Sequence, residues 1–457
     1  MSSGKRLPIL LVLHLYGCAT FTPDGGFDHV EKATQRYIKQ QPVWAKTAAE
    51  KQASLEKVSV LLEKPLAVGD AVQIALINNA QLQATFYHLQ IAEANAVQAG
   101  RLPNPVFDML YVKNKGNFNI EQALTFNILA LFTLPKASAI EKKRFIATQN
   151  EVVLQVLNTA RNTRNAYYEA LAARESVHYL TQVSESAEAT AELAKRMRKA
   201  GNWSELAKAR EQVFYAEAAL DLTRAKRKLV LKEESLTRLL GLNNRTAFAL
   251  PKRLPDLPKS YALLKEVRAE DFAKRLDIMQ MRTMTEALSK KLGLSKATRL
   301  VNVLALGPAR VLEGSRNEPY KKGISLSFEL PLFDWGSPQV KRAEAEYMQA
   351  LHHSASLAVH AASQVRSQYS QYQANYAIAQ YYRDDVVPLR RRMLRESQLR
   401  YNGMLISPFA LLADAREQVL SVNSYIEALL DFWIADSNLE MSLVGEPVGV
   451  MIMNEGL

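Results

Sequence analysis

Between Leu66 and Ala99 apolar residues fall at helical intervals, with Ile74, Leu76, Leu82, Leu89 and Ala92 on the pattern, and the run breaks from Gly100 to Pro105. This predicts a helix of middling length. Two runs of alternating character follow, Val106 to Val112 and Leu124 to Phe132, divided by the turn formers Asn114, Gly116 and Asn117. They predict a hairpin. From Ala137 to Ala200 there is neither proline nor glycine, which predicts a helix about 95 Å long at ~1.5 Å per residue. Val153, Leu157, Ala160, Tyr167 and Leu171 give that helix one apolar seam. After Gly201-Asn202 a second helix is predicted from Ser204 to Leu240. In it Leu206, Val213 and Leu220, then Leu222, Leu229 and Leu236, recur at sevens, the period of a left-handed coiled coil. Gly241 ends that helix, and Pro251, Pro255 and Pro258 mark a boundary.

The same order then recurs. Ala269 to Leu292 repeats the middling helix, Leu300 to Leu306 and Ile324 to Phe333 the two strands, Ser337 to Asn402 the long helix, and Ser407 to Leu443 the shorter one. Phe132 matches Phe333, Arg164 and Tyr167 match Arg366 and Tyr369, and Gly201 matches Gly403. Ala209-Arg210-Glu211-Gln212-Val213 recurs letter for letter as Ala415-Arg416-Glu417-Gln418-Val419. The offset is near 202 residues and grows by four just past the glycines, so one repeat carries about one extra helical turn at its tip.

Each half thus holds a strand pair, and an isolated pair is unstable in water. Four strands per chain still leave two open edges, which a membrane does not tolerate. Leu124, Phe126 and Ile128 alternate with Thr125 and Asn127, and Ile324, Leu326, Phe328 and Leu330 with Ser325, Ser327 and Glu329. That is the signature of a transmembrane barrel strand, polar side to the lumen, although a half-buried strand of a soluble sheet alternates in the same way. In each half two short helices stacked end to end match one long helix, which builds a wall of coiled coils and favours the barrel.

The segment from Phe21 to Lys64 lacks a sustained period and reads as a linker or strap. Ahead of it, Lys5 and Arg6, the apolar run Leu7 to Leu13 and the small residues Gly17, Cys18 and Ala19 read as a secretory signal. The expected parts are therefore a signal over 1–18, a strap over 19–65, a first repeat over 66–250, a linker over 251–264, a second repeat over 265–445 and a tail over 446–457. Cys18 is the only cysteine among 457 residues, which excludes a disulfide within the chain and cysteine-based metal sites. The formal charge of +12 is spread over helices rich in Glu, without aromatic interleaving, so nucleic-acid binding is disfavoured. His352, His353 and His360 have no clustered carboxylate beside them and read as surface or packing residues. No phosphate loop, nucleophile elbow or zinc-protease pair occurs, so neither a cofactor nor catalysis is expected.

In its ordered set of motifs the chain resembles the TolC-type outer-membrane efflux factors over Leu66 to Gly445. The likeness is carried by Ala71-Val72-Gln73-Ile74-Ala75-Leu76-Ile77-Asn78-Asn79, by Leu102-Pro103-Asn104-Pro105, by the run Ile324 to Gly336, and by Tyr401-Asn402-Gly403 with Leu411-Leu412 and Asp414-Ala415-Arg416. The resemblance implies a mainly α fold with a small β part. Three subunits would give four strands each to one barrel, continued by a periplasmic helical tunnel. It implies as partners two further copies of the chain, outer-membrane lipid, a periplasmic adaptor and an inner-membrane pump. Leu15-Tyr16-Gly17-Cys18 resembles a lipobox, with Cys18 the lipidated residue, and the absence of Asp at position 19 resembles lipoproteins sent on to the outer membrane. Gly201, Asn202, Tyr401, Asn402, Gly403, Leu405, Phe409 and Asp414 would lie at the periplasmic tips, where adaptor contact and gating occur. The family's acidic residues just after the second glycine are missing here, so closure falls to apolar side chains such as Leu405 and Phe409. The basic run Arg390, Arg391, Arg392, Arg395 and Arg400 reads as a solvated helix face, with an acidic adaptor surface as the other reading. A periplasmic coiled-coil adaptor or scaffold lipoprotein is the alternative function. Such adaptors have a single helical hairpin, whereas this pattern has two.

Overall fold

The computed structural model describes residues 19–243, 248–260, 272–301 and 303–447. Cys18 and the signal, the first residues of the helix expected from Ala269, and the tail beyond Pro447 lie outside the described residues. The chain forms two compact units, each drawing on both halves of the sequence.

Unit 1 comprises Met1–Val30, Phe86–Val152 and Leu276–Val359. It holds all four strands: β1 (Val106–Asn114), β2 (Asn117–Asn127), β3 (Leu304–Gly314) and β4 (Lys321–Phe328), in one antiparallel sheet of that order. The β1–β2 hairpin turns through Lys115 and Gly116, both at positive φ. Strand limits differ from expectation in a consistent way. Asn127 ends β2 because its Oδ1 accepts from Ala130 N at 3.0 Å, capping the helix that follows, so Ile128 to Phe132 are helical and not strand. A short apolar run has no period of its own to decide this. β3 continues through Gly307 and Pro308, which read as breakers but sit in the ladder. A Cβ on Gly307 would lie 1.8 Å from the Leu124 carbonyl oxygen, so the close backbone approach requires glycine there. β4 stops at Phe328, and Glu329 only donates its N–H to Val303 O at 3.4 Å.

Within the segment expected to be an irregular strap lie two helices, α1 (Phe27–Gln35) and α2 (Ala48–Leu62). At the start of α2, Thr47 and Glu50 form a complete capping box, a local signal that a search for long apolar periods passes over. In unit 1 the strap is tied down where the Thr22 N–H and hydroxyl both donate to Glu93 at 2.6 Å.

Unit 2 comprises Glu31–Thr85, Val153–Arg275 and His360–Leu457. The expected helix from Leu66 is two, α3 (Val68–Asn78) and α4 (Ala80–Ala99), because Asn79 is extended and its amide serves other partners. Its Oδ1 caps Leu82 N at 2.9 Å and its Nδ2 reaches Leu239 O at 2.9 Å. The long helix is α5 (Ile128–Lys199), and α6 (Glu205–Leu239) returns beside it with Ser204 as N-cap. Asn78 donates to the carbonyls of Leu240 and Gly241 at 3.0 and 2.7 Å, satisfying the C-terminus of α6. The second half of the chain supplies α7 (Leu276–Thr298) to unit 1, α8 (Ser337–Tyr381) to both units, and a π-helical turn (Tyr382–Val386), α9 (Val387–Asn402) and α10 (Pro408–Val444) to unit 2. The apolar seam expected on α5 is buried throughout, from Val153 to Leu171. The unit 2 core gathers Tyr167, Leu171, Leu236, Leu240, Ile426, Leu429 and Phe432, with Phe432 against Tyr372, Tyr376 and Trp433.

Candidate functional site

One face of the sheet in unit 1 is mainly apolar and the other is mixed, with Val106, Leu110, Val112 and Val311 among its polar side chains, and the register fixes which residue lies on which. One face carries Phe107, Leu124, Phe126, Leu304, Leu306, Ile324, Leu326 and Phe328, with Phe126, Leu306 and Leu326 in a single cross-strand row. Most of these side chains are exposed, Ile324 to 78%. Bare hydrocarbon on this scale marks a surface that meets lipid or protein rather than water. The opposite face carries the residues expected to line a lumen. Asn127 pairs with Ala305 and Ala305 with Ser327, while Ser325 pairs with Gly307. Thr125 stands opposite Val106 and its hydroxyl donates to Val106 O at 3.5 Å. Asp108, Asn119, Glu121 and Glu313 share this face by parity. Glu329 lies beyond the strand and outside the ladder. β1 and β4 are the sheet edges, and neither pairs further among the described residues.

The two helix hairpins of unit 2 have matching turns. At Gly201 (φ 83°) the Asn202 N–H reaches back to Met197 O at 3.0 Å, and Ser204 caps the next helix. In the second hairpin the Leu405 N–H reaches Arg400 O at 2.8 Å, and Ser407 caps the next helix. Here the left-handed residue is Met404 (φ 57°), not Gly403 (φ −80°). Gly403 matches Gly201 in sequence but not in conformation. Trp203 stacks on Phe409 with ring centroids 4.7 Å apart, joining the two tips. That partner was not singled out from sequence, since a lone tryptophan in a loop carries no period. Leu405 projects into solvent, 77% exposed. Asp414 accepts a hydrogen bond from Ser397 across its own hairpin, with Tyr401 and Asn402 at the end of α9. Of the basic run, Arg390 pairs with Glu417 at 3.0 Å and the other four arginines are exposed.

Behind the tips, the repeated Ala-Arg-Glu-Gln-Val motifs meet. Arg416 donates to the buried Glu211 at 3.0 Å and lies 3.7 Å from the Phe214 ring centre. Tyr179 donates to Gln418 at 3.3 Å, and Arg164 to Glu440. Nearby, burial pushes the Asp436 carboxyl up to about 6; Glu440 adds to this and Arg164 opposes it. Among the described residues no group of three or more His, Cys, Asp and Glu side chains is placed to hold a metal ion, and no helix is long and apolar enough to cross a membrane.

This architecture is that of solved outer-membrane channels. The outer-membrane channel OprN matches with a TM-score of 0.69 over 97% of this chain and 99% of its own, at 16% identity. The channel CusC matches with a TM-score of 0.69 over 83% of this chain and 92% of its own, also at 16% identity. The outer membrane protein VceC from Vibrio cholerae matches with a TM-score of 0.66 over 83% of this chain and 96% of its own, at 17% identity. No protein-family model matches the sequence, and no curated protein matches it. The fold is accordingly mainly α with a small β part, its long helices and strand pairs occurring in tandem.

Proposed function

We propose that three copies of this chain form a passive exit duct through the outer membrane, working with a periplasmic adaptor and an inner-membrane pump. The observation that carries this is the sheet. Four strands with two unpaired edges and one bare apolar face are unsatisfied in water and in lipid alike. Joining β4 of one copy to β1 of the next satisfies every edge and turns the apolar face to lipid, giving twelve strands from three chains. The fold shared with outer-membrane channels supports the same reading.

Within that duct, Thr125, Asn127, Ser325 and Ser327 line the barrel, with Glu329 at its margin. The hairpin tips, from Gly201 and Asn202 to Leu405 and Phe409, form the periplasmic mouth, closed by apolar side chains. Cys18 is the lipid attachment point. No catalytic step is assigned to any residue. The alternative of a periplasmic adaptor or scaffold lipoprotein leaves the four-stranded sheet with its apolar face unexplained. The test is conductance: purified protein added to a planar lipid bilayer gives discrete steps if it forms a pore. A protein that inserts without conducting, or stays in the aqueous phase, overturns the proposal.

A further inference from the structure

The two repeats recognise each other through residues that both carry, and the arithmetic leaves complementary partners over. Within one chain, repeat 1 gives Glu211, Tyr179 and Arg164 to repeat 2, which answers with Arg416, Gln418 and Glu440. At the sequence offsets of 202 residues for the long helices (Tyr179 to Tyr381) and 206 for the shorter ones (Ala209 to Ala415), every one of these six has an identical counterpart. Glu211, Tyr179 and Arg164 become Glu417, Tyr381 and Arg366; Arg416, Gln418 and Glu440 become Arg210, Gln212 and Glu234. All six counterparts are exposed. Only Glu417 has an ion pair within the chain, to Arg390, among the described residues. Tyr179 is half-buried, whereas its counterpart Tyr381 is 67% exposed.

The apolar neighbours follow the same rule. Leu206, Val213 and Leu220, one heptad seam of α6, are each more than half exposed. Their counterparts on α10 are Leu412, Val419 and Ile426, of which the first two are half-buried and Ile426 is fully covered. Conversely Phe214, which lies under Arg416, corresponds to the exposed Leu420. Each repeat therefore has one face satisfied inside the chain and one face bare. The bare face of repeat 1 copies the satisfied face of repeat 2, and the bare face of repeat 2 copies the satisfied face of repeat 1, so the two bare faces complement each other as the two satisfied faces do. Such head-to-tail complementarity gives a ring of copies where the rotation between neighbours closes.

We propose that the occupant of these faces is a second copy of the chain, and that three polar pairs form between neighbours: Arg210 with Glu417, Gln212 with Tyr381, and Glu234 with Arg366. This rests on the trimeric reading above and adds its register. Not every contact is duplicated. Asn165 pairs with Asn438 at 3.1 Å, but their counterparts are Ser367 and Lys232, so the interface between chains differs there from the one within.

The experiment uses the full-length protein in membranes, with Cys18→Ser as background, and a short bismaleimide. Gln212→Cys with Tyr381→Cys is expected to give bands of two and three linked chains. Tyr179→Cys with Gln418→Cys is expected to leave single chains. In parallel, Arg366→Glu and Glu234→Arg are each expected to lower the temperature at which the detergent-resistant oligomer dissociates, and their combination to restore it. Single chains only, from an assembly that still has the mass of three, would overturn the pairing and leave the trimer standing. A linked band containing a different protein would overturn the choice of occupant. A species with the mass of one chain before any cross-linking sinks both readings.

Discussion

The two helix hairpins of unit 2 are closed at Gly201 and at Met404. A left-handed residue closes each hairpin, and L side chains pay about 1 to 2 kcal/mol to sit there. Gly201 holds that position in the first tip, but Met404 holds it in the second, one residue past the glycine. Gly201→Ala is therefore expected to cost roughly 1 kcal/mol, Gly403→Ala almost nothing, and Met404→Gly to stabilise by roughly 1 kcal/mol. Thermal melts of the three variants check this, and equal losses at the two glycines would contradict it. The sequence could not show the slip because both residues follow the same helix end. Asp436 offers a second test at this scale. Its carboxyl is raised to about 6 by burial and Glu440, so the folded chain binds a proton that the unfolded chain releases near the ordinary value of 3.8. Stability from this group is therefore greatest below that value, falls as pH rises towards about 6, and is flat above. Asp436→Asn is expected to remove that slope and to raise the melting temperature at neutral pH, read as the difference between the two proteins' melts from pH 4 to 7.

The long helices were legible as elements because seams such as Val153 to Leu171 recur over many turns. The strands were legible in kind but not in extent: helical capping by Asn127 and the passage of Gly307 and Pro308 through a ladder are tertiary facts. The long helix expected from Ser337 to Asn402 is interrupted, just ahead of Pro388, by a π-helical turn at Tyr382–Val386. A π turn closes i to i+5 and so holds one residue more than an α turn. By letters Gly201 and Gly403 beyond it still stand 202 apart, but by conformation Gly201 matches Met404, 203 apart like the helix caps Ser204 and Ser407 and one more than Tyr179 and Tyr381 ahead of it. Burial keeps step: Ala187, Ala191 and Ala194 are buried, and beyond the turn Arg390, Leu394 and Ser397 are half-buried between exposed neighbours. The remaining three residues of the offset lie in the first turns of α10. The π turn thus absorbs a one-residue insertion. Deleting Asp385 is expected to restore a continuous α-helix without loss of the fold. Circular dichroism and proteolysis of the variant check this, and a chain that no longer folds would contradict it.

At the scale of the molecule, that Thr125, Asn127, Ser325 and Ser327 share one face of the sheet was readable because a strand's period of two leaves no freedom about faces. The pairing between repeats was not readable, since which of two identical motifs supplies the arginine and which the glutamate depends on their packing. A duct requires the open sheet to be completed by two further copies. The direct measurement is the mass of the unheated, detergent-extracted protein, compared with the same sample after boiling. A species of three chains that collapses on boiling to a single chain is expected. A folded species with the mass of one chain, its sheet edges open in a soluble monomer, would contradict it.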